Sequence, residues 1–452
     1  MAPAPWGGSG GGAAGTPSRA EIEDNFADIK PRLDKKRAIV DSARCFFCHD
    51  APCVEACPTG IDIPNFIRMI STGNVKGAAE KILAENIFGG MCARVCPTEV
   101  LCERACVRNT SEDKPVDIGA LQRYAVDQLI ETGEHPFERA AASGKRVAVV
   151  GGGPAGLSCA HRLSVLGHAV TVFEARQHAG GLNEYGIAAY KTVDSFAQRE
   201  VDFVLSIGGI EMKTGTALGR DVKLADLARD YDAVFLGIGL GGVNALDLPG
   251  EGELKGVLDA VAYIAELRQS RDKSKLPVGR KVVVIGGGNT AIDIAIQTKK
   301  LGAEDVTIAY RRGPEQMSAT HHEQEFAQVS GVKIKHWVKP AKLIGKGGAV
   351  AGIELEYTRL GTGGKLEGTG ETFALECDQL FKAIGQTLTP PEGLKVEKGK
   401  IVVDGEYRTG MAKVWAGGDC VASGTDLTVQ SVQDGKLAAH SIDRALRRNG
   451  HG

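Results

Sequence analysis

The chain has 452 residues, 43% of them hydrophobic and 24% charged, with a formal net charge of -2. That length accommodates about three domains of ordinary size. The near balance of charge gives no bulk attraction to nucleic acid or to an anionic membrane. No run approaches the roughly 18 apolar residues that read as a membrane span. The stretch before Arg19 is Gly, Ala and Pro, without the basic start and apolar core of a signal peptide. Residues 1–20 are therefore expected to form a disordered tail. The protein is expected to be cytoplasmic, where clustered cysteines bind metal or do redox chemistry rather than form disulfides.

Residues 21–144 read as helices joined by loops, over 20–29, 35–43, 64–71, 75–85 and 118–131. Eight of the eleven cysteines lie here, in two runs. Cys45, Cys48, Cys53 and Cys57 precede Pro58; Cys92 and Cys96 precede Pro97, Cys102 and Cys106. Close spacing with a proline directly after Cys57 and Cys96 is the grammar of bacterial ferredoxins, in which the cysteine before proline crosses to the other cluster. Eight thiolates suffice for two four-iron clusters, which predicts an all-helical two-cluster iron–sulfur domain. The reading outside catalysis is a zinc-stapled nucleotide-binding scaffold, because Cys-x2-Cys pairs also bind zinc.

The texture changes at Lys145. An apolar run, 146–150, enters Gly151-Gly152-Gly153-Pro154-Ala155-Gly156; a helical stretch follows, and the next strand, 169–173, ends at Glu174. Continuous apolar strands alternating with helices indicate a parallel sheet. Gly151 allows the tight turn, Gly153 lets backbone approach a pyrophosphate, and Gly156 lets helix and strand pack closely. Pro154 and Ala155 open the helix whose free N–H groups meet the pyrophosphate, and Glu174 would accept bonds from ribose hydroxyls. The unit recurs at 281–285, which enters Gly286-Gly287-Gly288-Asn289-Thr290-Ala291, then a helix and the strand 306–310. Gly286, Gly288 and Ala291 take the fingerprint positions, with Asn289 and Thr290 beside them. Arg311 and Arg312 stand where the first unit has Glu174. Two guanidiniums bind a 2′-phosphate that a carboxylate would repel, which favours NADP(H) over NAD(H). The expected α/β architecture is two nested Rossmann-like domains, the outer at 145–254 and 379–452 and the inner, nicotinamide-binding one at 255–378.

Near the C-terminus an apolar strand ends in Ala416-Gly417-Gly418-Asp419, and a helical stretch follows over 428–446. With this ending the chain resembles the two-dinucleotide-binding flavoprotein disulfide reductase superfamily. The resemblance implies FAD on the first fingerprint, its ribityl chain bonded by Asp419 beside Gly418. Gln430 and Ser431 would then begin a helix aimed at the isoalloxazine. Residues 179–187, with Gly181, Leu182 and Gly186, resemble the flavin-contacting loop, although Ala188 stands where many members have proline. Disulfide reduction is not expected, because Cys159, Cys377 and Cys420 are isolated and Cys159 reads as buried core. His321-His322-Glu323 reads as a solvated helix start rather than a chelate.

The order of Cys-rich helical domain, FAD unit and nicotinamide unit resembles the glutamate synthase small subunit-like FAD/NAD(P) oxidoreductases, over about residues 30–445. Within them, the step Cys96-Pro97-Thr98-Glu99-Val100-Leu101-Cys102 and the segment 117–123 are similar to the flavin/iron–sulfur subunit of bacterial dihydropyrimidine dehydrogenase. The resemblance implies Cys45, Cys48, Cys53 and Cys106 on one 4Fe–4S cluster, and Cys57, Cys96, Cys102 and Gln122 on the other. Cys92 would be a free, buried thiol. By the residues alone Gln122 is a polar position on an amphipathic helix, and all-cysteine ligation including Cys92 stays open. The resemblance further implies hydride transfer from NAD(P)H to FAD N5 with no catalytic side chain, and single electrons leaving through the clusters. With no barrel-length sequence left over, uracil or thymine would be reduced, reversibly, on an FMN-containing partner subunit in a heterotetramer. A glutamate synthase small subunit or a ferredoxin-linked oxidoreductase is the alternative within enzymes.

Overall fold

Four helices of the Cys-rich segment start on an Asx residue whose side chain satisfies a free backbone N–H. Asp34 caps Lys35–Ser42, Asp62 caps Ile63–Ser71, Asn74 caps Val75–Glu85 and Asp117 caps Ile118–Thr132. Ile63, Phe66, Ile67 and Ile70 follow the i, i+3, i+4, i+7 spacing of one helical face, and all four are buried. They pack with Ile82, Leu83, Leu121 and Val126, and the same cluster takes in Leu157, Val201, Val204, Val429 and Val432 from far along the chain. The helical segment and the first dinucleotide-binding domain thus share one apolar core.

This is the computed structural model of the chain, and it describes residues 17–448. They fall into two compact units. One comprises Ile29–Glu184, Lys191–Gly242 and 387–448. Its parallel sheet has the order Val414–Ala416, Ala233–Leu236, Arg146–Val150, Ala169–Phe173, Ile210–Lys213, with Arg146 opposite Ala169 and Val147 opposite Ala233. The helix Pro154–Val165 follows the central strand and packs against the C-terminal helix Thr428–Arg448. That crossing is close: a Cβ on Gly435 would lie 2.1 Å from Ala155 O, and Ser158 Oγ donates to Val432 O at 2.7 Å.

The other unit comprises 17–28, Tyr185–Tyr190 and Val243–Gln386. Its parallel sheet runs Val257–Asp259, Gln379–Lys382, Lys281–Ile285, Asp305–Ala309, Lys333–Lys335. Between its last two strands in sequence lies an antiparallel meander, Val338–Lys346, Ala349–Leu360 and Leu366–Glu376. The first turn of this meander is Gly347-Gly348, both at positive φ, the geometry a two-residue hairpin demands. No helix among the described residues is long and apolar enough to cross a membrane.

The nested α/β arrangement is as expected, with several differences. Residues 1–16 of the expected tail lie outside the described residues, but Ser18 caps the helix Arg19–Asn25 through a reciprocal Ser18–Glu21 capping box. That helix is grouped with the nicotinamide-type unit, where Asn25 Nδ2 donates to Lys300 O at 3.0 Å. The expected return to the outer domain at 379 is corrected: Gln379 pairs with Val282, so Gln379–Lys382 belongs to the inner sheet and the outer domain resumes at Thr387. The inner unit also begins at Val243 rather than 255. The helices Pro52–Glu55 and Gly89–Val95 and the whole antiparallel meander escaped the sequence pattern.

The shared core sets a prediction. Phe66→Ala, at a side chain with 0% exposure, should cost about 3–5 kcal/mol, read as a lowered denaturation midpoint. Val40→Ala on an exposed helix face should change stability by no more than about 0.5 kcal/mol.

Candidate functional site

The eight clustered cysteines are brought together as two sets. Cys45, Cys48 and Cys53 line one cavity with Cys106, and the wall includes Phe46, Ile63, Ile67 and Arg108. Cys57, Cys96 and Cys102 line a second cavity, together with both Cys92 and Gln122. The cysteine before Pro58 has therefore left its own run for the second cavity, and Cys106 has crossed to the first. Ile63 is common to both walls. Among the described residues no three His, Cys, Asp or Glu side chains converge closely enough to hold a single metal ion. The thiols ring a space, as a multi-iron group requires, rather than meeting at a point as tetrahedral zinc ligands do.

The thiols are partly covered: Cys92 is buried and the other seven are intermediate in exposure. Burial pushes the Cys53 thiol up to about 12 and raises those of Cys45 and Cys102. The Cys96 thiol is raised first by a hydrogen bond with Cys92 and then by burial. A metal centre binds the thiolate form, so one held here would have to displace these protons. Cys92 is itself buried at 2% exposure. Gln122 Nε2 donates to Gly89 O at 2.7 Å.

The first glycine loop has three glycines held for three reasons. Gly151 has φ +101°, and a Cβ there would lie 2.3 Å from Gly237 O. A Cβ on Gly156 would lie 1.9 Å from Gly151 O, which is the close packing of helix on strand. Gly153 is different: its Cβ would meet nothing closer than Gly181 Cα at 3.6 Å. The protein alone would accept a side chain at Gly153, so the space beside it suits a ligand at the N-terminus of Pro154–Val165. Glu174 is buried, and its Oε2 accepts from Gly152 N at 2.7 Å while Oε1 accepts from Arg176 N at 2.7 Å. Gly180 N donates to Gly152 O at 2.7 Å, bringing Gly181 and Leu182 beside the loop. Gly186 falls in Tyr185–Tyr190, which belongs to the other unit.

At the end of Val414–Ala416, Asp419 is half-buried and its carboxyl raised, first by desolvation and then by Asp426. Ser431 Oγ donates to Asp419 Oδ1 at 3.0 Å. Asp434 was not anticipated. It is wholly buried and accepts from Gly418 N at 2.8 Å, Gln430 Nε2 at 2.9 Å, Tyr407 Oη at 3.1 Å and the Ser423 hydroxyl. It holds Gly418, at φ +77°, and so sets where Asp419 stands. The available signal was a carboxylate three residues after Ser431 on the apolar face of the helix.

In the other unit, Gly288 caps the helix Asn289–Lys300, which Asn289 and Thr290 open, and Gly286 sits at φ +148° against Ala383 O. Ala291 is fully buried at the third fingerprint position. Arg311 O accepts from Thr358 Oγ1 at 2.8 Å and Arg312 O from Trp337 N at 3.1 Å, so the meander fixes this strand tip by its backbone. Neither guanidinium forms an ion pair among the described residues. Thr320 caps His321–Val329, and His321 pairs with Glu315 at an exposed position. Cys159, Cys377 and Cys420 are all free and buried; burial drives Cys159 far up and puts Cys377 and Cys420 at about 12. None has the exposed, acidic character of a redox thiol.

Residues 22–134 match the family model described as dihydropyrimidine dehydrogenase domain II, 4Fe-4S cluster. Residues 145–435 match that of the pyridine nucleotide-disulphide oxidoreductases. A relative from Salmonella typhi, named NAD-dependent dihydropyrimidine dehydrogenase subunit PreT homolog, is 33% identical over 94% of this chain and 98% of its own. The glutamate synthase (NADPH) small chain of Escherichia coli (strain K12) is 34% identical over 92% of this chain and 93% of its own. In structure, the chain is similar to Mycobacterium tuberculosis FprA in complex with NADPH, at a TM-score of 0.58 and 20% identity over 68% of this chain and 86% of that one. Thioredoxin reductase of T. acidophilum aligns at a TM-score of 0.54 and 20% identity, over 67% of this chain and 99% of its own. These two likenesses show the fold.

The unequal roles of the glycines give a test. Gly153→Ala should fold normally yet bind FAD about tenfold more weakly or worse, a loss of about 1.4 kcal/mol. Gly156→Ala should lower the melting midpoint even with FAD omitted. Flavin retained per chain and thermal unfolding, measured on both variants, separate the two effects.

Proposed function

This chain belongs to the pyridine nucleotide-disulphide oxidoreductase family and carries a 4Fe–4S domain of the dihydropyrimidine dehydrogenase type, and from that premise we propose that it is the electron-input subunit of a dihydropyrimidine dehydrogenase. The observation that carries this reading is the wall of the second cavity. Val429 lines it beside Cys57, Cys96 and Cys102, and the next residues, Gln430 and Ser431, belong to the expected flavin site. A flavin-binding segment and a thiol-lined cavity therefore share one piece of chain. Relatives spanning nearly all of the sequence bear the name of a dihydropyrimidine dehydrogenase subunit, which supports the same reading.

In this proposal Cys45, Cys48, Cys53 and Cys106 hold one 4Fe–4S cluster. Cys57, Cys96, Cys102 and Gln122 hold the other, and Cys92 is a bystander whose thiol hydrogen-bonds to Cys96. Gly151, Gly153, Gly156, Glu174, Gly181, Leu182, Gly418, Asp419, Gln430 and Ser431 hold FAD. Gly286, Gly288, Asn289, Thr290, Arg311 and Arg312 hold NADP(H). When bound, the flavin converts two-electron exchange with a nicotinamide into one-electron exchange with iron–sulfur clusters. The chain's own residues orient and enclose. The N-termini of Pro154–Val165 and Asn289–Lys300 face the two pyrophosphates with free N–H groups. Arg311 and Arg312 neutralise the 2′-phosphate, and the apolar walls around the thiols keep water from the clusters. No side chain needs to move a proton. Electrons leave to a partner subunit that carries FMN and reduces uracil or thymine to the 5,6-dihydropyrimidine in a cytoplasmic heterotetramer. A second reading, the small chain of a glutamate synthase, is favoured by the comparable identity to that protein.

The proposal is tested on the complex purified with its native partner, by following nicotinamide oxidation. Oxidation should require uracil or thymine, whereas dependence on glutamine plus 2-oxoglutarate would transfer the chain to the second reading. NADPH should outperform NADH by about tenfold or more, the worth of one charge-assisted hydrogen bond of about 1.5 kcal/mol. Equal rates, or a preference for NADH, would remove the argument from Arg311 and Arg312.

The ligand assignment has its own check. Gln122→Ala should alter the electron paramagnetic resonance of one cluster and lower its iron content, while Cys92→Ala leaves both clusters intact. Loss of a cluster in Cys92→Ala alone would overturn the assignment in favour of all-cysteine ligation.

A further inference from the structure

Glu200 lies on the helix Phe196–Leu205 and is fully buried, at 0% exposure. No step proposed above uses it. Its carboxylate faces the backbone of the helix Gly89–Val95, accepting at Oε1 from Gly90 N at 2.7 Å and from Met91 N at 3.1 Å. The fit admits no substitute for glycine, since a Cβ on Gly90 would lie 2.5 Å from Phe196 Cζ and 2.7 Å from Glu200 Oε1. The peptide unit joining Gly89 to Gly90 is therefore engaged at both ends. Its N–H donates to Glu200, and its carbonyl oxygen accepts from Gln122 Nε2 at 2.7 Å.

This arrangement decides which way the Gln122 amide points. The inverted amide would bring two carbonyl oxygens to 2.7 Å, with no hydrogen between them. With Nε2 committed to Gly89, Oε1 is the atom left for the cavity that Gln122 lines. Hydrogen bonds in series polarise one another. A negative carboxylate at one end draws charge along the peptide and makes Gln122 Oε1 a stronger donor at the other, as outer partners of metal ligands commonly do.

The charges around Glu200 come from three helices. Arg94, on Gly89–Val95, binds both oxygens of Asp127 at 2.8 Å, donates to Gly90 O at 3.0 Å and covers the Phe196 ring. Asp127 and Arg123, on Ile118–Thr132, bond each other at 3.3 Å. Arg199 adjoins Glu200 on its own helix and stands near the same ring. Glu200 forms no ion pair among the described residues, because Arg94 spends both of its terminal nitrogens on Asp127 and Gly90 O. Burial pushes the Glu200 carboxyl up to about 8, against the opposing pull of Met91 N–H, Arg94 and Gly90 N–H.

We infer that Glu200 is the positioning residue of the Gln122 amide, acting through the Gly89–Gly90 peptide to fix which atom faces the iron and how strongly it donates. The inference rests on Gln122 being a cluster ligand. An ionised Glu200 favours the oxidised cluster held by Cys57, Cys96, Cys102 and Gln122, so that cluster's potential falls when Glu200 loses its proton. The other cluster, outside this chain of bonds, serves as the internal reference.

The test is a redox titration of the complete, flavin- and cluster-loaded chain, monitored by electron paramagnetic resonance, between pH 7 and pH 9. In the wild type, the reduction equilibrium of the Gln122 cluster should fall by about tenfold across that range, one pKa unit of coupling, while the other cluster shows no such step. In Glu200→Gln, which keeps shape and an acceptor oxygen but no charge, the step should vanish and the potential remain at its higher value. A pH-independent wild-type potential, or the same shift in both clusters, would overturn the role of Glu200. The wild-type series answers even if the variant does not fold. Gln122→Ala run in parallel separates the two layers. An unchanged resonance there removes the ligand assignment and this inference with it. An altered resonance together with a pH-independent wild-type cluster leaves the assignment standing and overturns the inference alone.

Discussion

Each cysteine run serves both cavities, and the fold is arranged around that crossing. Cys57 leaves its neighbours to line the second cavity, and Cys106 leaves its own to line the first. Neither cavity can close until residues 45–57 and 92–106 stand side by side. The chain between them has to go out and come back, and Ile63–Ser71 and Val75–Glu85 are the two helices that do so. Their apolar faces form the floor of the sites: Ile63 touches both cavities, while Ile67, one turn on, lines the first. Core packing and ligand geometry are here the same constraint.

The two glycine loops show how one backbone device is given two destinations. Both take a strand into a turn with a first glycine at positive φ, and both begin a helix on their third glycine. What differs is the support behind the strand tip. Behind the first, Glu174 turns inward and ties the loop by accepting from Gly152 N. Behind the second, Trp337 and Thr358 hold the backbone of Arg311 and Arg312, leaving the charge on the side chains. A carboxylate that is part of the loop and a guanidinium pair held at arm's length are different electrostatic environments on the same scaffold.

Much of this was legible in the sequence because short-range chemistry dictated it. The fingerprint strands Arg146–Val150 and Lys281–Ile285 were bounded by glycine and by apolar runs, and the Asx-capped helices carried their own start signals. The grouping of thiols was legible only by resemblance, because spacing alone does not say which cysteine crosses. The antiparallel meander was missed because its strands mix exposed lysines and glutamates with few buried positions, so period-two alternation is weak. Gly89–Val95 was missed because two glycines open it, and a helix so begun is made by its tertiary partners rather than by propensity. Asp434 and Glu200 were invisible for a related reason. Each is a carboxylate whose role lies in backbone N–H groups contributed from elsewhere in the chain, and a sequence does not display its long-range hydrogen bonds.

The apolar core shared by the cysteine-bearing helices and the first dinucleotide domain has a consequence for dissection of the chain. Cutting this chain near residue 144 would strip cover from Leu157, Val201, Val429 and Val432 on one side and from Leu121 and Val126 on the other. Newly wetted surfaces of that kind invite aggregation. Either piece of a chain cut there is therefore expected to fold poorly unless some other apolar surface covers the exposed face.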